Sequence, residues 1–289
     1  MAQTDRPNVL YRYRSCQTAY FIDELERLVA EKTAFFVPIS VHNDPFDCNP
    51  YFVESDLPEI RKILKRLNKK YLVSMEYIKQ QHSSFNRGQL KRKQKEFRID
   101  YRGLSRLKIL IGQLVQKMRD ESNIICLSET WDNLLMWSHY ASGLDGVSIE
   151  YEVRWDLLPV MNAEPPYPVM YDNHRKQVST VDLLVFLLSS SDTGFPQDLL
   201  EKAEAAADSL IGLKAADWSY EREWRVQMRG LGKSGYQHVP ILEPRSVIVG
   251  ARVSDANCER IREICRPRLS VSYVKLSDEK FSLLRGVER

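Results

Sequence analysis

The sequence predicts an α+β protein with a mixed or antiparallel sheet core, a basic helical insertion and a C-terminal strand-helix-strand unit. Short β-rich segments occur along most of the chain and do not alternate strictly with helices. Residues 57–120 interrupt these segments with continuous helical periodicity. We therefore expect a single α+β domain over residues 1–289, with 57–120 as a basic helical insertion or subdomain.

The sequence of residues 8–47 predicts a strand, a helix, a second strand and a turn. The segment "NVLYRYRS" (8–15) alternates in a way that is typical of a strand, and residues 19–33 carry apolar side chains at helical spacing. "AFFVPIS" (34–40) is rich in β-forming residues. "HNDPFD" (42–47) predicts a tight turn, because Asn, Asp and Pro each favour turn geometry.

Beyond the insertion, the pattern returns to strands. The β-branched content of "NIICLSE" (123–129) predicts a buried strand, and "GVSIEYEV" (146–153) alternates as a second one. Between them, "LLMWSHYA" (134–141) predicts a short helix or turn.

The C-terminal part of the chain predicts three further units. A helix begins near Pro196, and "WSYEREWRV" (218–226) alternates as a strand. The last unit is a strand, a helix capped by Ser254 or Asp255, and a second strand.

Composition predicts a cytoplasmic protein. Hydrophobic residues make up 43% of the chain, but no window has the roughly 18 uncharged apolar residues of a membrane span. The N-terminus lacks the basic start and apolar run of a secretory signal. The five cysteines form no CxxC pair, which indicates reduced thiols and neither a disulfide framework nor a zinc cluster. We expect no membrane partner and no metal.

Charge is distributed unevenly along the chain. The net charge is +3, yet Arg61–Lys108 contains sixteen Lys or Arg residues and three acids, a local balance of +13. This segment is either a solvated helical face or a surface for nucleic acid or another polyanion, since clustered cations neutralise phosphates. A protein partner is a further possibility.

The segment "WSYEREWRV" contains two candidate catalytic carboxylates. As a strand, it places Glu221 and Glu223 on one polar face, roughly 6–7 Å apart. Like charges at that distance raise one pKa, which suits an acid/base pair. The alternative is that Arg222 and Arg225 pair with these carboxylates in ion pairs of little energetic value.

The segment "YRYR" places Tyr11 and Tyr13 on one strand face and Arg12 and Arg14 on the other. The two guanidinium groups could bind a pyrophosphate or a carboxylate through forked hydrogen bonds. Alternatively, they pair with Glu221 or Glu223 across the sheet, and the sequence leaves both interpretations open.

Four side chains have the chemistry of a metal site without its spacing. His42, Asp44, Asp47 and His139 form neither an HxxxH nor an HExxH pattern, so a turn and a core histidine are the preferred interpretations. Ser128 has no GxSxG context, and the chain contains neither GxGxxG nor a Walker loop.

Five motifs in a fixed order resemble a bacterial family of unknown function, the family numbered 2971 (DUF2971). They are "LYRYRS", "HNDPFD", "CLSET", "MWSHYASGLDGVSIEY" and "KAADWSYEREWR". The chain departs from the family pattern in having His42 in place of Phe and Asp47 in place of Glu. The resemblance spans most of the chain and implies a bacterial protein, with a toxin or phage-defence context, but no defined activity.

A second resemblance is to ADP-ribosyltransferases of the Arg–Ser–Glu type. Their order of an arginine strand, a serine strand and an ExE strand is matched by Arg12 or Arg14, Ser128, and Glu221 with Glu223. The segment "CLSET" departs from the usual Ser-Thr-Ser, and the C-terminal strand-helix-strand unit is outside that pattern.

This second resemblance implies roles for the residues and NAD as the substrate. Glu223 stabilises an oxocarbenium-like transition state, and Glu221 orients or deprotonates the acceptor. Arg12 or Arg14 binds the NAD pyrophosphate, and Tyr13, Trp137 or Tyr140 stacks on the nicotinamide. Ser128 and His139 complete the expected cofactor-binding set.

Two other functions are consistent with the sequence. The basic segment, with the four His and Asp side chains, suggests a nucleic-acid-binding protein or a nuclease. The chain could also be a non-catalytic interaction module, in which replacing Glu221 and Glu223 changes stability and abolishes no reaction.

Overall fold

The structure is a computed structural model, and it describes residues 6–53, 57–66, 73, 75–97, 100–160, 165–189, 196–208, 212–228, 234–266 and 268–287. The chain divides into two compact units, each discontinuous in sequence. The first consists of Met1–Val41, Asp120–Tyr171 and Ala216–Arg289, and the second of His42–Arg119 and Asp172–Ala215. The predicted insertion, 57–120, lies almost entirely in the second unit. That unit also includes Asp172–Ala215, which is distant from the insertion in sequence.

Helices and strands are intermixed, which confirms the α+β class. The helices are α1 (Phe21–Glu31), α2 (Leu57–Arg66), α3 (Met75–Gln81), α4 (Arg87–Lys95), α5 (Tyr101–Glu121), α6 (Leu134–Tyr140), α7 (Thr180–Ser189), α8 (Gln197–Asp208) and α9 (Asp255–Cys265). The strands are β1 (Val9–Ser15), β2 (Thr33–Pro38), β3 (Tyr51–Val53), β4 (Asn123–Ser128), β5 (Gly146–Val153), β6 (Tyr167–Pro168), β7 (Met170–Asp172), β8 (Gln177–Ser179), β9 (Leu213–Ala215), β10 (Glu223–Met228), β11 (Gly235–His238), β12 (Leu242–Val249), β13 (Ser270–Leu276) and β14 (Leu283–Gly286).

A mixed sheet forms the centre of the first unit. Ten strands of the described residues take part, in the order β11-β2-β4-β1-β5-β12-β13-β14, and β10 pairs with both β4 and β6. All pairings are antiparallel except that of β12 with β13. That parallel pair is joined through α9, whose first turn is capped by the Ser254 side chain accepting from the Asn257 amide at 3.3 Å. The predicted C-terminal strand-helix-strand unit is therefore confirmed.

The two faces of this sheet are covered by different helices. On one face, Leu10, Trp224 and Val249 belong to a large apolar core with residues of α1 and α9. On the other face, Tyr13 and Ile248 pack with residues of α6 in a smaller cluster. Because side chains alternate along β1, its tyrosines and its arginines lie on opposite faces.

Gly146 lets two backbone segments meet at the start of β5. A Cβ atom at this position would lie 2.3 Å from the Arg14 carbonyl oxygen and 2.9 Å from the Ala141 Cα. Only glycine fits such an approach without a shift of backbone. The glycine of "MWSHYASGLDGVSIEY" thus holds the end of α6 against β1 and β5.

The second unit is mainly helical. Its core combines the apolar stripes of α2 to α5 with those of α7 and α8, through side chains such as Leu64, Leu90 and Val185. The short strands β3 and β8 pair in parallel in this unit. Helical periodicity in the 57–120 segment thus predicted the helices. No local sequence pattern predicted that residues 172–215 contribute to the same core.

None of the helices in the described part of the chain has both the length and the apolar character needed to cross a bilayer. All five cysteines lie in the described residues, and none of them forms a disulfide bond. Burial raises the pKa of the Cys16 and Cys265 thiols to about 12. Both thiols therefore stay protonated near neutral pH and are poor nucleophiles.

Candidate functional site

A row of polar side chains crosses the sheet of the first unit on its tyrosine face. Glu223 of β10 is the register partner of Ser128 of β4, and Ser128 is in turn the partner of Tyr11 of β1. Tyr11 then pairs with Glu150 of β5. Directly opposed residues of antiparallel strands point to the same face. The sheet thus brings together Ser128 and Glu223, which are far apart in sequence.

The strand that holds Glu223 is shorter than its alternation predicts. Residues Ala216–Glu221 form a 3₁₀ helix, Arg222 has a φ of 43°, and β10 begins only at Glu223. A left-handed φ in a non-glycine residue ends the regular alternation. The prediction of one strand over 218–226, with Glu221 and Glu223 on a common strand face, is therefore wrong. The prediction that Trp224 and Val226 face the core is correct.

Glu221 is held at the end of the 3₁₀ helix by two neighbouring elements. The Tyr140 hydroxyl of α6 donates to the Glu221 carboxylate at 2.5 Å. The Ser128 hydroxyl donates to the Glu221 main-chain carbonyl at 2.6 Å, and accepts from the Thr130 amide at 3.2 Å. Glu221 is only 2% exposed. A charge-assisted hydrogen bond to a carboxylate fixes its orientation more firmly than a bond between neutral groups.

Three rings from residues within three positions of Tyr140 or Glu221 form a cluster, and we call them the aromatic cluster: His139, Trp218 and Tyr220. The imidazole of His139 stacks on Tyr220 with ring centroids 6.1 Å apart and planes inclined by 28°. Trp218 lies 6.2 Å from the imidazole and 6.1 Å from Tyr220. His139 is exposed and the other two rings are partly exposed. The cluster therefore offers ring surface to solvent next to a buried carboxylate.

Glu223 is in a different environment from Glu221. Its two carboxylate oxygens accept from Arg225, at 2.8 Å from Nε and 3.2 Å from Nη2. Glu223 is 3% exposed and Arg225 is fully buried. The alternative interpretation of the sequence, in which an arginine of the segment pairs with a carboxylate, thus holds for Glu223. Because the pair is buried, it is not one of the weak surface ion pairs that this interpretation assumed.

Arg12 and Arg14 face away from Glu223. They lie on the face of β1 that also carries Leu10, whereas Glu223 belongs to the row of Tyr11. Their partner is Glu24 of α1. The Arg14 Nε donates to Glu24 at 2.9 Å, and the Arg12 guanidinium lies 3.3 Å from the other carboxylate oxygen. The predicted pairing of these arginines with Glu221 or Glu223 is therefore wrong, and the arginines share no sheet face with Glu223.

Two of the rings predicted to contact nicotinamide are covered by the core. Tyr13 and Trp137 meet edge to face, with centroids 5.3 Å apart, and both are buried. Their polar atoms donate to main-chain carbonyls, Tyr13 to Thr130 and Trp137 to Trp131. These rings therefore position α6 against the sheet, and Tyr140 remains as the predicted aromatic residue that contacts a carboxylate.

The side chains with metal-ligand chemistry are divided between the two units. In the second unit, His42 Nδ1 lies 3.6 Å from Asp47 Oδ2, and Asp44 accepts from the Phe46 amide at 2.8 Å in the predicted turn. His139 belongs to the first unit. Across the described ranges, no group of three or more His, Cys, Asp or Glu side chains is arranged to hold a metal ion.

Ser128→Ala should destabilise the first unit by about 1–3 kcal/mol, because it removes the donor to the buried Glu221 carbonyl and the acceptor of the Thr130 amide. Urea unfolding measures this difference. Ser138→Ala, at an exposed position of α6, should leave the unfolding midpoint unchanged. Equal midpoints for both variants would show that Ser128 does not hold the 3₁₀ helix.

Sequence reasoning missed Trp218 and Tyr220 as site residues. Both belong to "WSYEREWRV", where strand alternation assigned them to the apolar face. A signal was available, since three large aromatic residues in seven positions exceed what one buried strand face needs. The 3₁₀ helix instead turns the first two rings towards His139.

The fold and site thus define an α+β protein with a buried carboxylate beside an exposed aromatic cluster. Residues 136–226 match the family described as "Protein of unknown function (DUF2971)". This match confirms the family resemblance over residues 136–226, which hold the last two of the five motifs. The matched residues include Tyr140, the aromatic cluster, Glu221 and Glu223. None of the curated proteins compared with the chain matches it, and neither does any solved structure.

Proposed function

We propose that the chain is an ADP-ribosyltransferase-like enzyme of the cytoplasm that consumes NAD and has Glu221 as its catalytic carboxylate. The observation that carries the proposal is the Glu221–Tyr140 pair, a buried carboxylate with a 2.5 Å hydrogen bond, placed beside the aromatic cluster. A toxin or phage-defence effector is the biological role that fits such an activity.

A carboxylate suits this reaction because positive charge develops on the ribose. The bond between C1′ and the nicotinamide nitrogen breaks, its electron pair leaves with nicotinamide, and C1′ becomes oxocarbenium-like. A bond from C1′ to the acceptor oxygen or nitrogen then forms, and the acceptor loses its proton. If water is the acceptor, the product is ADP-ribose. An anion held beside C1′ stabilises the transition state more than the ground state.

Glu221 is better suited to this role than Glu223. Both oxygens of Glu223 accept from Arg225 at 2.8 and 3.2 Å. Arg225 therefore compensates the negative charge of Glu223 directly, while the Glu221 carboxylate accepts from Tyr140 of α6, whose neighbour His139 belongs to the aromatic cluster. The proposal thus moves the principal catalytic role to Glu221 from Glu223, to which the resemblance to Arg–Ser–Glu ADP-ribosyltransferases assigned it.

The aromatic cluster suits the nicotinamide ring. His139 and Tyr220 are stacked, and both reach solvent, so a planar ring can continue the stack. Trp218 lies edge-on to the imidazole, with planes inclined by 66°, and closes one side. Arg12 and Arg14 are engaged with Glu24, so the proposal assigns them no contact with the pyrophosphate.

The first assay uses chromatography to measure the release of nicotinamide from NAD. The second uses mass spectrometry to search the components of a bacterial extract for added ADP-ribose. Glu221→Gln should lower the rate at least about a hundredfold, because the anion at the reacting centre is lost. Tyr140→Phe keeps the carboxylate and removes only its hydrogen bond. We expect it to lower the rate less, by about tenfold.

The matched control is Glu24→Gln, which replaces another buried glutamate of the same unit, 4% exposed. This variant should release nicotinamide at the wild-type rate per folded molecule, measured below its unfolding temperature. Wild-type protein that releases no nicotinamide with water or any extract would refute the proposal. Loss of stability in Glu221→Gln without any reaction to lose would favour a non-catalytic interaction module.

A further inference from the structure

The second unit contains a cleft among α3, α4 and α5 that is separate from the aromatic cluster, and we call it the basic cleft. Its volume is about 560 Å³. The lining comes from all three helices and the turn after α4, and includes Tyr77, Lys93, Glu96, Phe97, Arg106 and Ile109. The residues from α5 recur every three or four positions, so one face of that helix forms a wall of the cleft.

Cations outnumber acids along this lining. Lys93, Arg106 and Lys117 are the cations, and Glu96 is the one acid among the lining residues. Lys93 Nζ lies 3.0 Å from Glu96, with both side chains 37% exposed, and Arg106 donates to the Glu96 main-chain carbonyl at 3.0 Å. An ion pair this exposed is weak, so a phosphate can take the place of the carboxylate.

Further positive charge lies on two of the helices that form the cleft, outside its lining. Arg87, Lys91 and Lys95 are exposed and four residues apart along α4, and Arg102 precedes Arg106 by one turn of α5. Such an array attracts a polyanion over several phosphates, which a single pair of cations cannot do.

The same cleft also has apolar and aromatic surface. Ile109 is 63% exposed although it is a large apolar residue. Tyr77 is partly exposed, and Phe97 forms part of the buried lining. Close by, His82 stacks on Phe85 with ring centroids 4.5 Å apart and planes inclined by 8°. Apolar and ring surfaces among cations match a ligand that carries both phosphates and flat, unpaired bases.

We propose that the basic cleft binds single-stranded nucleic acid, with phosphates on Lys93 and Arg106 and a base on Tyr77. A duplex fits the cleft poorly, because its bases are paired and stacked inside and cannot reach Tyr77 or Ile109. This inference goes beyond the proposed NAD chemistry and stands without it, since it rests on residues of the second unit alone.

The experiment measures fluorescence anisotropy of the full chain with labelled oligo(dT) and oligo(U) of about 12 nucleotides, a length typical of such sites. Affinity should fall with salt, with a slope of log K against log salt of about −2, because three lining cations replace counterions. The two oligonucleotides distinguish DNA from RNA, and tighter binding of either one supports the proposal. A duplex of the same length should bind more weakly.

Charge variants test the cleft itself. Lys93→Gln and Arg106→Gln should each make the salt slope shallower by about 0.7. Glu96→Gln should act in the opposite direction and strengthen binding, because the competing carboxylate is gone. Arg260→Gln removes the same charge from an exposed position of α9 in the first unit. It should change neither the affinity for the oligonucleotides nor the salt slope.

Ring variants test base stacking. Tyr77→Leu should weaken binding by about tenfold with the salt slope unchanged, and Tyr77→Phe should bind like wild type. Tyr77→Phe also shows that any loss in Tyr77→Leu comes from the ring, since both variants lack the hydroxyl. Binding without a salt slope, equal affinity for duplex, or equal effects of Arg260→Gln and Arg106→Gln would each overturn the proposal.

Discussion

Glu24→Gln should lower the free energy of unfolding by about 3 kcal/mol. The carboxylate of Glu24 is the common partner of Arg12 and Arg14 on the core side of the sheet. Burial and the neighbouring Arg12 already lower the pKa of Arg14, and Glu24 opposes this effect. A neutral amide leaves two positive charges close together in a largely buried site, where their repulsion is poorly screened. Urea denaturation followed by tryptophan fluorescence measures the loss.

The control for this variant is Glu31→Gln, on the same helix. Glu31 is 53% exposed and lies 3.8 Å from Arg27, so its removal should not shift the unfolding midpoint measurably. Adding Arg12→Met to Glu24→Gln should recover part of the loss, because one uncompensated guanidinium is removed. Unchanged stability of Glu24→Gln would contradict the coupling of the three side chains.

The Arg–Glu24 cluster shows how far periodicity predicts a site. Alternation along β1 correctly separated the tyrosines from the arginines, because it depends on backbone geometry alone. It could not identify the partner of the arginines, because that depends on which helix covers which face. One signal was present: Glu24 lies within the apolar stripe of α1, between Phe21 and Leu25, where a charge needs a partner.

The error at Glu221 has a local physical cause. Alternation in "SYEREWRVQ" is satisfied by a strand, but the Ser128 and Asn133 side chains donate to the carbonyls of Glu221 and Tyr220 and stabilise a 3₁₀ turn instead. These donors come from β4 and from the residue before α6. A contact between segments so distant in sequence leaves no trace in the pattern of the segment itself. The strand proper, from Glu223 onwards, was predictable because its alternating apolar residues, Trp224 and Val226, do face the core.

The extent of the second unit could not be predicted for a related reason. Helices α2 to α5 follow from apolar periodicity, since each stripe is encoded locally. Their association with α7 and α8 is not local, because Val185 and Leu199 enter the same core from a segment that begins more than fifty residues later. Sequence patterns identify which helix faces are apolar, but they do not identify the elements that cover them.

Glu223→Gln should destabilise the first unit by about 3 kcal/mol or more. Arg225 is fully buried, and Glu223 accepts two of its N–H groups. A glutamine carries a single acceptor oxygen and no charge, so one of the two hydrogen bonds and the negative charge that Glu223 places against Arg225 are lost. Arg225→Met should cost a similar amount, because it leaves the Glu223 carboxylate buried without its guanidinium. The double variant should lose less than the sum of the two. Urea unfolding of the two single variants and the double variant measures the free energy of unfolding that each one loses.

The same variants separate the two glutamates by function. Glu221→Gln keeps a carbonyl oxygen that can accept from Tyr140, and we expect it to fold while nicotinamide release is lost. Glu223→Gln should show the reverse, with lower stability and with a wild-type rate per folded molecule. If Glu223→Gln instead stays fully stable and loses the reaction, Glu223 is the catalytic carboxylate, as the resemblance to Arg–Ser–Glu ADP-ribosyltransferases implies. The ion pair with Arg225 would then be broken when NAD binds, since a carboxylate cannot hold that guanidinium and also face C1′.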